Sequence, residues 1–292
     1  MDLWYFEDHR PGVRFGLRCL RTLHSERTAY QQIDVLETEE YGRMLLLDGL
    51  VMLTSRDEFI YHEMIAHPAA FVHGGARDVL VIGGGDGGTV RELLRHENIS
   101  KIVLCEIDKG VVDVSLRFFP EVSSGLKGSS RVEILYEDGA RFVEEHPSSF
   151  DIIIVDSTDP IGPGKILFSS RFYRSCFTCL RPEGVLVAQT ESPFYHMDLI
   201  RQVRAGLKAS GFGPVRFYTA PVPTYPGGYW SWAFAVKEGR EGLLHPIDSP
   251  ALLRAGEDAG KGRVLEELRY YTPEIHRAAF SLPRFFLDAI EG

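Results

Sequence analysis

The chain has 292 residues, of which 44% are hydrophobic and 25% are charged, and this is the composition of an ordinary globular protein. Its 41 acidic and 32 basic residues give a net charge of −9, which repels phosphate backbones, so we expect no nucleic acid partner. No apolar run has the length of a membrane helix, and the first residues lack the basic and apolar segments of a secretory signal. We therefore expect a cytoplasmic protein without a membrane partner.

The first 55 residues show the alternation of apolar and polar residues that is typical of strands. Turn signals at Ser25-Glu26-Arg27, Tyr41-Gly42 and Asp48-Gly49 separate these runs, and Asp48-Gly49 is a strong hairpin signal. The predicted strands are residues 13–23, 30–36, 43–47 and 50–54. This pattern predicts a small antiparallel β domain over residues 1–55.

A helix is predicted to begin near residues 55–57, and from Asp78 onward strands alternate with helices. The strands are continuous apolar runs, typical of a parallel sheet that is covered on both faces. They are residues 79–82, 101–105, 132–136, 151–155 and 185–188. Apolar residues recur at helical spacing near residues 90–94, 111–118, 172–180 and 199–207, and Gly211 is a predicted helix C-cap.

Two further strands, near residues 215–219 and 230–236, follow each other without a helix, which predicts an antiparallel pair at the sheet edge. The fold class is therefore α/β, with a Rossmann-like seven-stranded sheet of the methyltransferase type and a small N-terminal antiparallel β domain. We predict a catalytic domain over residues 56–240 and a helical C-terminal extension over residues 241–292.

A glycine-rich turn, Gly83-Gly84-Gly85-Asp86-Gly87-Gly88, follows the first parallel strand. Glycines there allow a close approach of the backbone to a ligand, so we expect Gly83 and Gly85 to contact a cofactor. Glu106 ends the second strand, where an acid can bind both hydroxyls of a ribose. Asp138-Gly139 ends the third strand, in position for an adenine edge. Such a loop is by itself also compatible with a tight structural turn.

The glycine-rich turn lacks a Gly-Lys-Ser/Thr sequence, and the Asp86 carboxylate repels a pyrophosphate, so a dinucleotide is disfavoured. A carboxylate at that point also repels the amino-acid carboxylate of S-adenosylmethionine and attracts a bare amine. At roughly 4 Å in a partly dry site, such repulsion costs on the order of 4 kcal/mol. Asp86 therefore favours a decarboxylated cofactor.

Two further acids, Asp156 and Asp159, follow the fourth strand in a loop rich in proline and glycine. Ligands bind at the carboxyl ends of strands in doubly wound sheets, although two acids in a loop can also be simple caps. Together with Asp86, Glu106 and Asp138, these acids follow successive strands. The acidity is therefore local, as a site for a cationic amine requires.

No metal site is expected from the histidines and cysteines. His62 and His67 are five residues apart in a predicted helix, which puts their rings about 140° apart and off one helix face. Cys176 and Cys179 lie in a helical apolar pattern without a second ligand pair, so we expect them to be buried in the core.

The combined motifs closely resemble the spermidine synthases, the polyamine aminopropyltransferases. The likeness covers nearly the whole chain and includes residues 26–32, 57–64, 83–88, 103–108, 137–139, 156–163, 223–228 and 270–273. The resemblance implies transfer of an aminopropyl group from decarboxylated S-adenosylmethionine to putrescine, giving spermidine and methylthioadenosine. It also implies a homodimer or homotetramer, without a metal or a tightly bound cofactor.

The resemblance also implies roles for individual residues. The proton acceptor would be Asp156, and Asp86 would bind the aminopropyl amine. The diamine channel would be lined by Tyr61, His62, Asp159 and Tyr225. The nucleoside would be contacted by Gln31, Glu106, Asp138, Gly139 and Pro163.

Two other functions remain open from the sequence. An S-adenosylmethionine-dependent methyltransferase shares the sheet and Glu106, but it does not explain Asp86 or the acidic loop. A non-catalytic polyamine-binding protein could use the same scaffold, although Asp156 argues for chemistry. The preferred amine is also open among putrescine, agmatine, cadaverine and spermidine, and we expect residues 191–194 to line the channel that decides it.

Overall fold

The computed structural model describes residues 3–158, 162–237, 247 and 259–291. The N-terminal part forms an antiparallel five-stranded sheet in which neighbouring strands follow the chain order. Its strands are β1 (Leu3–Arg10), β2 (Val13–Arg27), β3 (Gln32–Thr38), β4 (Arg43–Leu47) and β5 (Leu50–Thr54). The predicted Asp48-Gly49 hairpin is confirmed, because both residues have positive φ angles (49° and 83°) between β4 and β5.

Two features of this sheet differ from the sequence prediction. β1 was not predicted, and the predicted turn at Ser25-Glu26-Arg27 is wrong because β2 continues to Arg27 and pairs with β3 up to Gln32. The turn comes one residue later: the amide of Thr28 donates to the carbonyl of Gln31. Pairing of Ser25, Glu26 and Arg27 with β3 satisfies their backbone hydrogen bonds on that edge, and this outweighs the local turn preference of Ser25.

The larger sheet has seven strands in the order β11-β12-β10-β9-β6-β7-β8, so the predicted fold class is confirmed. β12 pairs antiparallel with both β10 and β11, as expected for the edge. The strands are β6 (Asp78–Gly83), β7 (Lys101–Cys105), β8 (Val132–Leu135), β9 (Phe150–Asp156), β10 (Leu180–Gln189), β11 (Val215–Pro221) and β12 (Tyr229–Val236).

The helices cover both faces of this sheet. They are α1 (Glu58–His73), α2 (Gly88–Leu94), α3 (Lys109–Phe118), α4 (Gly139–Glu145), α5 (Ser170–Cys179), α6 (Met197–Ala209), α7 (Ala259–Glu267), α8 (Pro273–Ala279) and α9 (Arg284–Glu291). The short helix α4 was not predicted, although Asp138 caps it by accepting from the amide of Ala140. The helical pattern predicted for residues 172–180 extends one residue too far, because α5 ends at Cys179 and Leu180 begins β10.

Alternate residues of each central strand enter two separate cores. In β6, Val79 and Val81 pack with α1 and α2, whereas Leu80 and Ile82 pack with α4, α5 and α6. The continuous apolar runs therefore mark strands that are buried on both faces. Cys176 and Cys179 are buried free cysteines, as predicted. In the described residues, no helix is both long and apolar enough to cross a membrane.

Candidate active site

One pocket lies at the carboxyl ends of the parallel strands, and Leu45, Leu47 and Met52 of the N-terminal sheet form part of its wall. The sequence-predicted residues that the structure brings to this pocket are Gln31, Tyr61, His62, Gly83, Gly85, Asp86, Glu106, Asp138, Gly139, Asp156 and Tyr225. The parallel register explains the convergence, since Gly83 at the end of β6 lies beside Asp156 at the end of β9.

Two predicted residues are not described in this way. Asp159 lies outside the described residues. Pro163 lies in the short 3₁₀ helix Gly162–Phe168, but its side chain is outside the described set.

The predicted lining by residues 191–194 is not observed, because none of them is among the described residues of the pocket wall. Phe194 instead is 61% exposed and stacks on Phe285.

Asp156 is held by two hydroxyl groups. The hydroxyl of Tyr61 donates to Oδ1 at 2.7 Å, and the hydroxyl of Thr89 donates to Oδ2 at 2.6 Å. Burial raises the pKa of Asp156 above its usual range, and the negative charge of Asp86 raises it further. A carboxylate with a raised pKa is a better proton acceptor than an ordinary aspartate, which suits general base catalysis.

Asp86 is paired with His62, which the sequence did not reveal. Nε2 of His62 lies 3.1 Å from Oδ1 of Asp86, and the amide of Gly88 donates to the same oxygen at 2.8 Å. Burial alone raises the pKa of Asp86, but the charge and hydrogen bond of His62, the amide of Gly88 and the charge of Arg91 together outweigh it and lower that pKa. Asp86 is therefore an anion with a cationic neighbour, not the isolated carboxylate that the repulsion estimate assumed.

Glu106 is bound by two backbone amides, those of Gly85 at 3.2 Å and Asp108 at 2.9 Å. Burial raises its pKa to about 7, against the lowering effect of these amides. Its position at the end of β7 suits binding of a ribose. Gln31, which also lines the pocket, donates to Asp108 and so connects the N-terminal sheet to this strand end.

The glycine loop is required by the acids around it as well as by a ligand. A Cβ atom at Gly84 (φ 68°) would lie 2.8 Å from Oδ2 of Asp156. A Cβ atom at Gly88 would lie 2.3 Å from the ring of His62. Such distances leave no room for a side chain, so the glycines allow Asp156 and His62 to approach the loop.

Tyr225 reaches the pocket from the loop between β11 and β12. Its hydroxyl donates to the carbonyl of Met52, and its ring packs edge-on against Tyr61 with 5.6 Å between the centroids. The neighbouring residue Thr224 donates to Asp57, the residue before α1, through both its amide and its hydroxyl. This connection fixes the loop against the start of α1.

The sequence reasoning missed Thr89, Glu58 and Arg91. Thr89 begins the helix directly after the glycine loop, and this position was the available signal. Glu58 accepts from Nδ1 of His62 at 2.5 Å and from Arg91, which donates with both terminal nitrogens. The spacing of four residues between Glu58 and His62 on one helix was also readable, since such pairs face each other.

His62, Asp86 and Asp156 offer ligand atoms within 4.8 Å of one another, a grouping that a metal ion could use. Both ring nitrogens of His62 face carboxylates, however, and a ring that donates from both nitrogens has no lone pair for a metal. We therefore interpret this group as a site for an ammonium ion, and the absence of a metal stays a prediction.

Comparison with known proteins identifies the family. Residues 58–242 match the model of the spermine/spermidine synthase domain, and residues 3–55 match that of the spermidine synthase tetramerisation domain. A polyamine aminopropyltransferase of Clostridium beijerinckii is 43% identical over 296 residues, which cover 100% of this chain and 99% of the relative. The same enzyme of Caldicellulosiruptor saccharolyticus is 44% identical over 291 residues, with the same coverage.

A solved structure shows the same fold. A crystal structure of spermidine synthase in complex with the transition state analogue AdoDATO superposes with a TM-score of 0.91 at 37% identity. The match covers 99% of this chain and 95% of that one. From both the sequence and the structural matches, the chain belongs to the spermine/spermidine synthase family, as its motifs predicted.

Proposed function

We propose that the chain is a polyamine aminopropyltransferase. It moves the aminopropyl group of decarboxylated S-adenosylmethionine to putrescine and releases spermidine and methylthioadenosine. The observation that carries this proposal is the convergence of His62, Asp86 and Asp156 within 4.8 Å in the pocket that Glu106 also lines. The printed names of the relatives and the AdoDATO complex of a spermidine synthase support it.

The acids of the pocket address the main chemical difficulty of the reaction. A primary amine with a pKa near 10.4 is neutral in only about one molecule in a few thousand at pH 7, so forming the nucleophile costs about 4–5 kcal/mol. In this mechanism Asp156 accepts the proton as the amine nitrogen attacks the propyl carbon next to the sulfonium. The carbon–sulfur bond breaks, its electron pair goes to sulfur, and methylthioadenosine leaves.

Asp86 and Asp156 then have different tasks. Asp86, with a lowered pKa, stays ionised and binds the aminopropyl ammonium group of the co-substrate. Asp156, with a raised pKa, takes the proton from the attacking amine. Neighbouring acids whose pKa values differ in this way are typical of acid–base sites. Tyr61 donates to Asp156, and in this proposal Tyr61, His62 and Tyr225 line the diamine channel. The role of Asp159 in diamine binding is carried over from the family resemblance alone.

The remaining predicted residues bind the nucleoside. Glu106 accepts from the ribose hydroxyls, and Asp138 and Gly139 contact the adenine edge. Gln31 and Pro163 also contact the nucleoside in this proposal. At Gly83 and Gly85 the backbone itself comes close to the ligand. Methyl transfer from intact S-adenosylmethionine is less compatible, because its carboxylate meets two acids near the reacting centre.

Transfer of a labelled aminopropyl group tests the proposal. Purified protein is incubated with decarboxylated S-adenosylmethionine and, in parallel, putrescine, agmatine, cadaverine or spermidine. We expect label in spermidine and an equal amount of methylthioadenosine with putrescine. If the nucleoside binds but no amine accepts the label, the chain is a binding protein. Calorimetric binding of S-adenosylmethionine without binding of the decarboxylated form would favour a methyltransferase.

We also propose that the chain works as a homodimer or homotetramer. The match of residues 3–55 to a tetramerisation domain supports association, and β1 carries the exposed apolar residues Leu3, Trp4 and Phe6. The cytoplasmic location stays a prediction.

A further inference from the structure

We propose that Glu58 is a positioning residue of the amine site, which acts by holding the His62 ring so that Nε2 donates to Asp86. The inference rests on the proposed function, because it concerns how the amine-binding carboxylate is held ready for its substrate. Glu58 is not among the described residues that line the main pocket, although it lines a small adjoining cavity with Tyr61, His62 and Tyr225, and its hydrogen bond toward the pocket is the one to His62.

Glu58 is a buried carboxylate that is itself held rigidly. Arg91 of α2 donates to Oε1 from Nη1 at 3.1 Å and to Oε2 from Nη2 at 2.9 Å. A two-pronged pairing of this kind fixes both the position and the plane of a carboxylate. Nε of Arg91 donates to Glu92 at 2.7 Å, so the guanidinium is anchored on its other side as well.

The His62 ring lies between two carboxylates. Nδ1 is 2.5 Å from Oε2 of Glu58 and Nε2 is 3.1 Å from Oδ1 of Asp86. A neutral ring can donate to one carboxylate only, so the arrangement requires the doubly protonated ring. Burial alone lowers the pKa of His62, but Asp86 and Glu58 outweigh it and raise it to about 10.

The ring also has no room to turn away. Gly88 lies so close that a Cβ atom there would be 2.3 Å from the ring, and Tyr61 packs edge-on at 5.5 Å between centroids. The charged and titratable groups around His62 come from every neighbouring element. They are Glu58 and Tyr61 of α1, Asp86 of the glycine loop, Arg91 of α2 through Glu58, Asp156 of β9 and Tyr225 of the β11–β12 loop.

The consequence concerns the second oxygen of Asp86. His62 and Gly88 both bind Oδ1, and within the described chain Oδ2 takes no hydrogen bond. With Oδ1 occupied, Oδ2 is the atom available to the ammonium group of the co-substrate. Without Glu58 the ring loses one of its two anionic partners, so its second proton is lost at a lower pH and nothing on the Nδ1 side holds Nε2 toward Asp86.

Nitrogen-15 NMR of histidine-labelled protein tests the inference without any assay of activity. We expect the His62 ring, assigned by comparison with His62→Asn, to keep both nitrogens protonated at about pH 8.5, where an ordinary histidine is neutral. In Glu58→Gln we expect the titration midpoint of His62 to fall by at least about one pH unit. Removal of one nearby opposite charge shifts a pKa by about one to three units, and this is the lower limit.

Glu63→Gln is the matched control. Glu63 is a second buried glutamate of α1, but it accepts from the backbone amides of Arg269, Tyr270 and Tyr271, outside the pocket. We expect this variant to lose thermal stability while the His62 midpoint stays that of the wild type. A fall of that midpoint in both variants would show a general effect of loosening α1 and would overturn the inference.

Kinetics provide the second readout. Because Asp86 binds the ammonium group of the co-substrate, we expect kcat/KM for decarboxylated S-adenosylmethionine to fall about 10-fold in Glu58→Gln, comparable to the loss of an outer partner of a metal-bound histidine. The deficit should grow as pH rises, while the affinity for methylthioadenosine is unchanged. An ordinary His62 pKa in the wild type overturns the inference even if Glu58→Gln does not fold. Absence of aminopropyl transfer in a wild type with a protonated His62 overturns the proposed function instead.

Discussion

Asp156 combines burial, two hydroxyl donors and a nearby negative charge, and each of these bears on its proposed role as a base. The hydroxyls of Tyr61 and Thr89 orient the two oxygens, while burial and Asp86 raise the pKa. A group that must accept a proton from an amine gains from the higher pKa, because proton transfer becomes less unfavourable.

The substitution Asp156→Asn removes the proton acceptor and keeps the shape of the side chain. We expect kcat to fall at least about 100-fold, the usual contribution of a general base, while methylthioadenosine binds as before. Asp151→Asn is the control, because Asp151 lies on the same strand β9 but contacts Arg181 and backbone amides outside the pocket. Normal turnover in Asp156→Asn would remove Asp156 from its role.

Asp86→Asn tests the electrostatic selection of the co-substrate. The variant loses the negative charge that opposes the carboxylate of S-adenosylmethionine, so discrimination against that molecule should relax. His62 already compensates part of the charge of Asp86. We therefore expect the preference for the decarboxylated co-substrate over S-adenosylmethionine to fall about 10-fold, and not the thousandfold that an isolated carboxylate implies. Competitive binding of S-adenosylmethionine and its decarboxylated form measures this preference. An unchanged preference would contradict the argument from charge repulsion.

Glu106, the proposed ribose ligand, should make nucleoside binding dependent on pH. Its pKa is raised to about 7, and the ribose hydroxyls need the deprotonated carboxylate as acceptor. The protonated form grows as pH falls below 7, so affinity for methylthioadenosine should weaken by about 10-fold between pH 8 and pH 6. Calorimetry across this range should also detect proton release on binding at low pH. A flat profile would contradict the raised pKa.

At the scale of elements, Asp57 connects the start of α1 to the β11–β12 loop that carries Tyr225. It is 5% exposed and accepts from the amide and hydroxyl of Thr224 and from the hydroxyl of Thr54. The connection joins residues that are 167 positions apart in the chain. The position of Tyr225 in the pocket therefore depends on a contact between two distant segments.

The substitution Asp57→Ala leaves buried donors of Thr54 and Thr224 without an acceptor. Three donors lose their acceptor, namely the hydroxyls of Thr54 and Thr224 and the amide of Thr224, and each costs about 1–3 kcal/mol. The free energy of unfolding should therefore fall by at least about 3 kcal/mol, and KM for the amine should rise as Tyr225 moves. Chemical denaturation and steady-state kinetics measure the two effects. Thr224→Val, which keeps the backbone amide, should have a smaller effect. Unchanged stability of Asp57→Ala would contradict this account.

For the whole molecule, the open question is how copies of the chain associate. Trp4 and Phe6 of β1 are 49% and 51% exposed, and their rings stack with 6.1 Å between centroids. Apolar side chains that remain open in one copy are typical of an interface. The N-terminal sheet is therefore the predicted contact between subunits.

We expect the double variant Trp4→Ser/Phe6→Ser to lower the mass measured by light scattering while circular dichroism stays that of the wild type. Phe285→Ser is a matched control, because Phe285 is an exposed aromatic residue (41%) of α9 and does not belong to the N-terminal sheet. The wild-type mass distinguishes a homodimer from a homotetramer. If only the Phe285→Ser variant dissociates into smaller species, the interface between subunits is not formed by the N-terminal sheet.

The division into a domain at residues 1–55, a catalytic domain at 56–240 and a C-terminal extension at 241–292 stays a proposal. The N-terminal sheet is not an independent neighbour of the site, since Met52 and Gln31 line the pocket. A nucleoside in the pocket would therefore contact both parts of the chain.

The sequence by itself determined the class of fold, the family and most residues of the pocket. Continuous apolar strands predict a covered parallel sheet, and acids at the ends of such strands converge because parallel strands end at one edge. β1 was missed because its four apolar residues are followed by four polar ones and do not alternate with them, and α4 because its seven residues are too few to show a helical period.

The tertiary structure alone decided how the acids differ from one another. Asp86 and Asp156 are the same residue type, yet the pKa of Asp86 is lowered by His62 and that of Asp156 is raised by burial and by Asp86. His62 lies 24 residues before Asp86 in the chain, and Thr89 lies 67 residues before Asp156. A pKa depends on the distance to charges and on the exclusion of water, and both are properties of the folded chain.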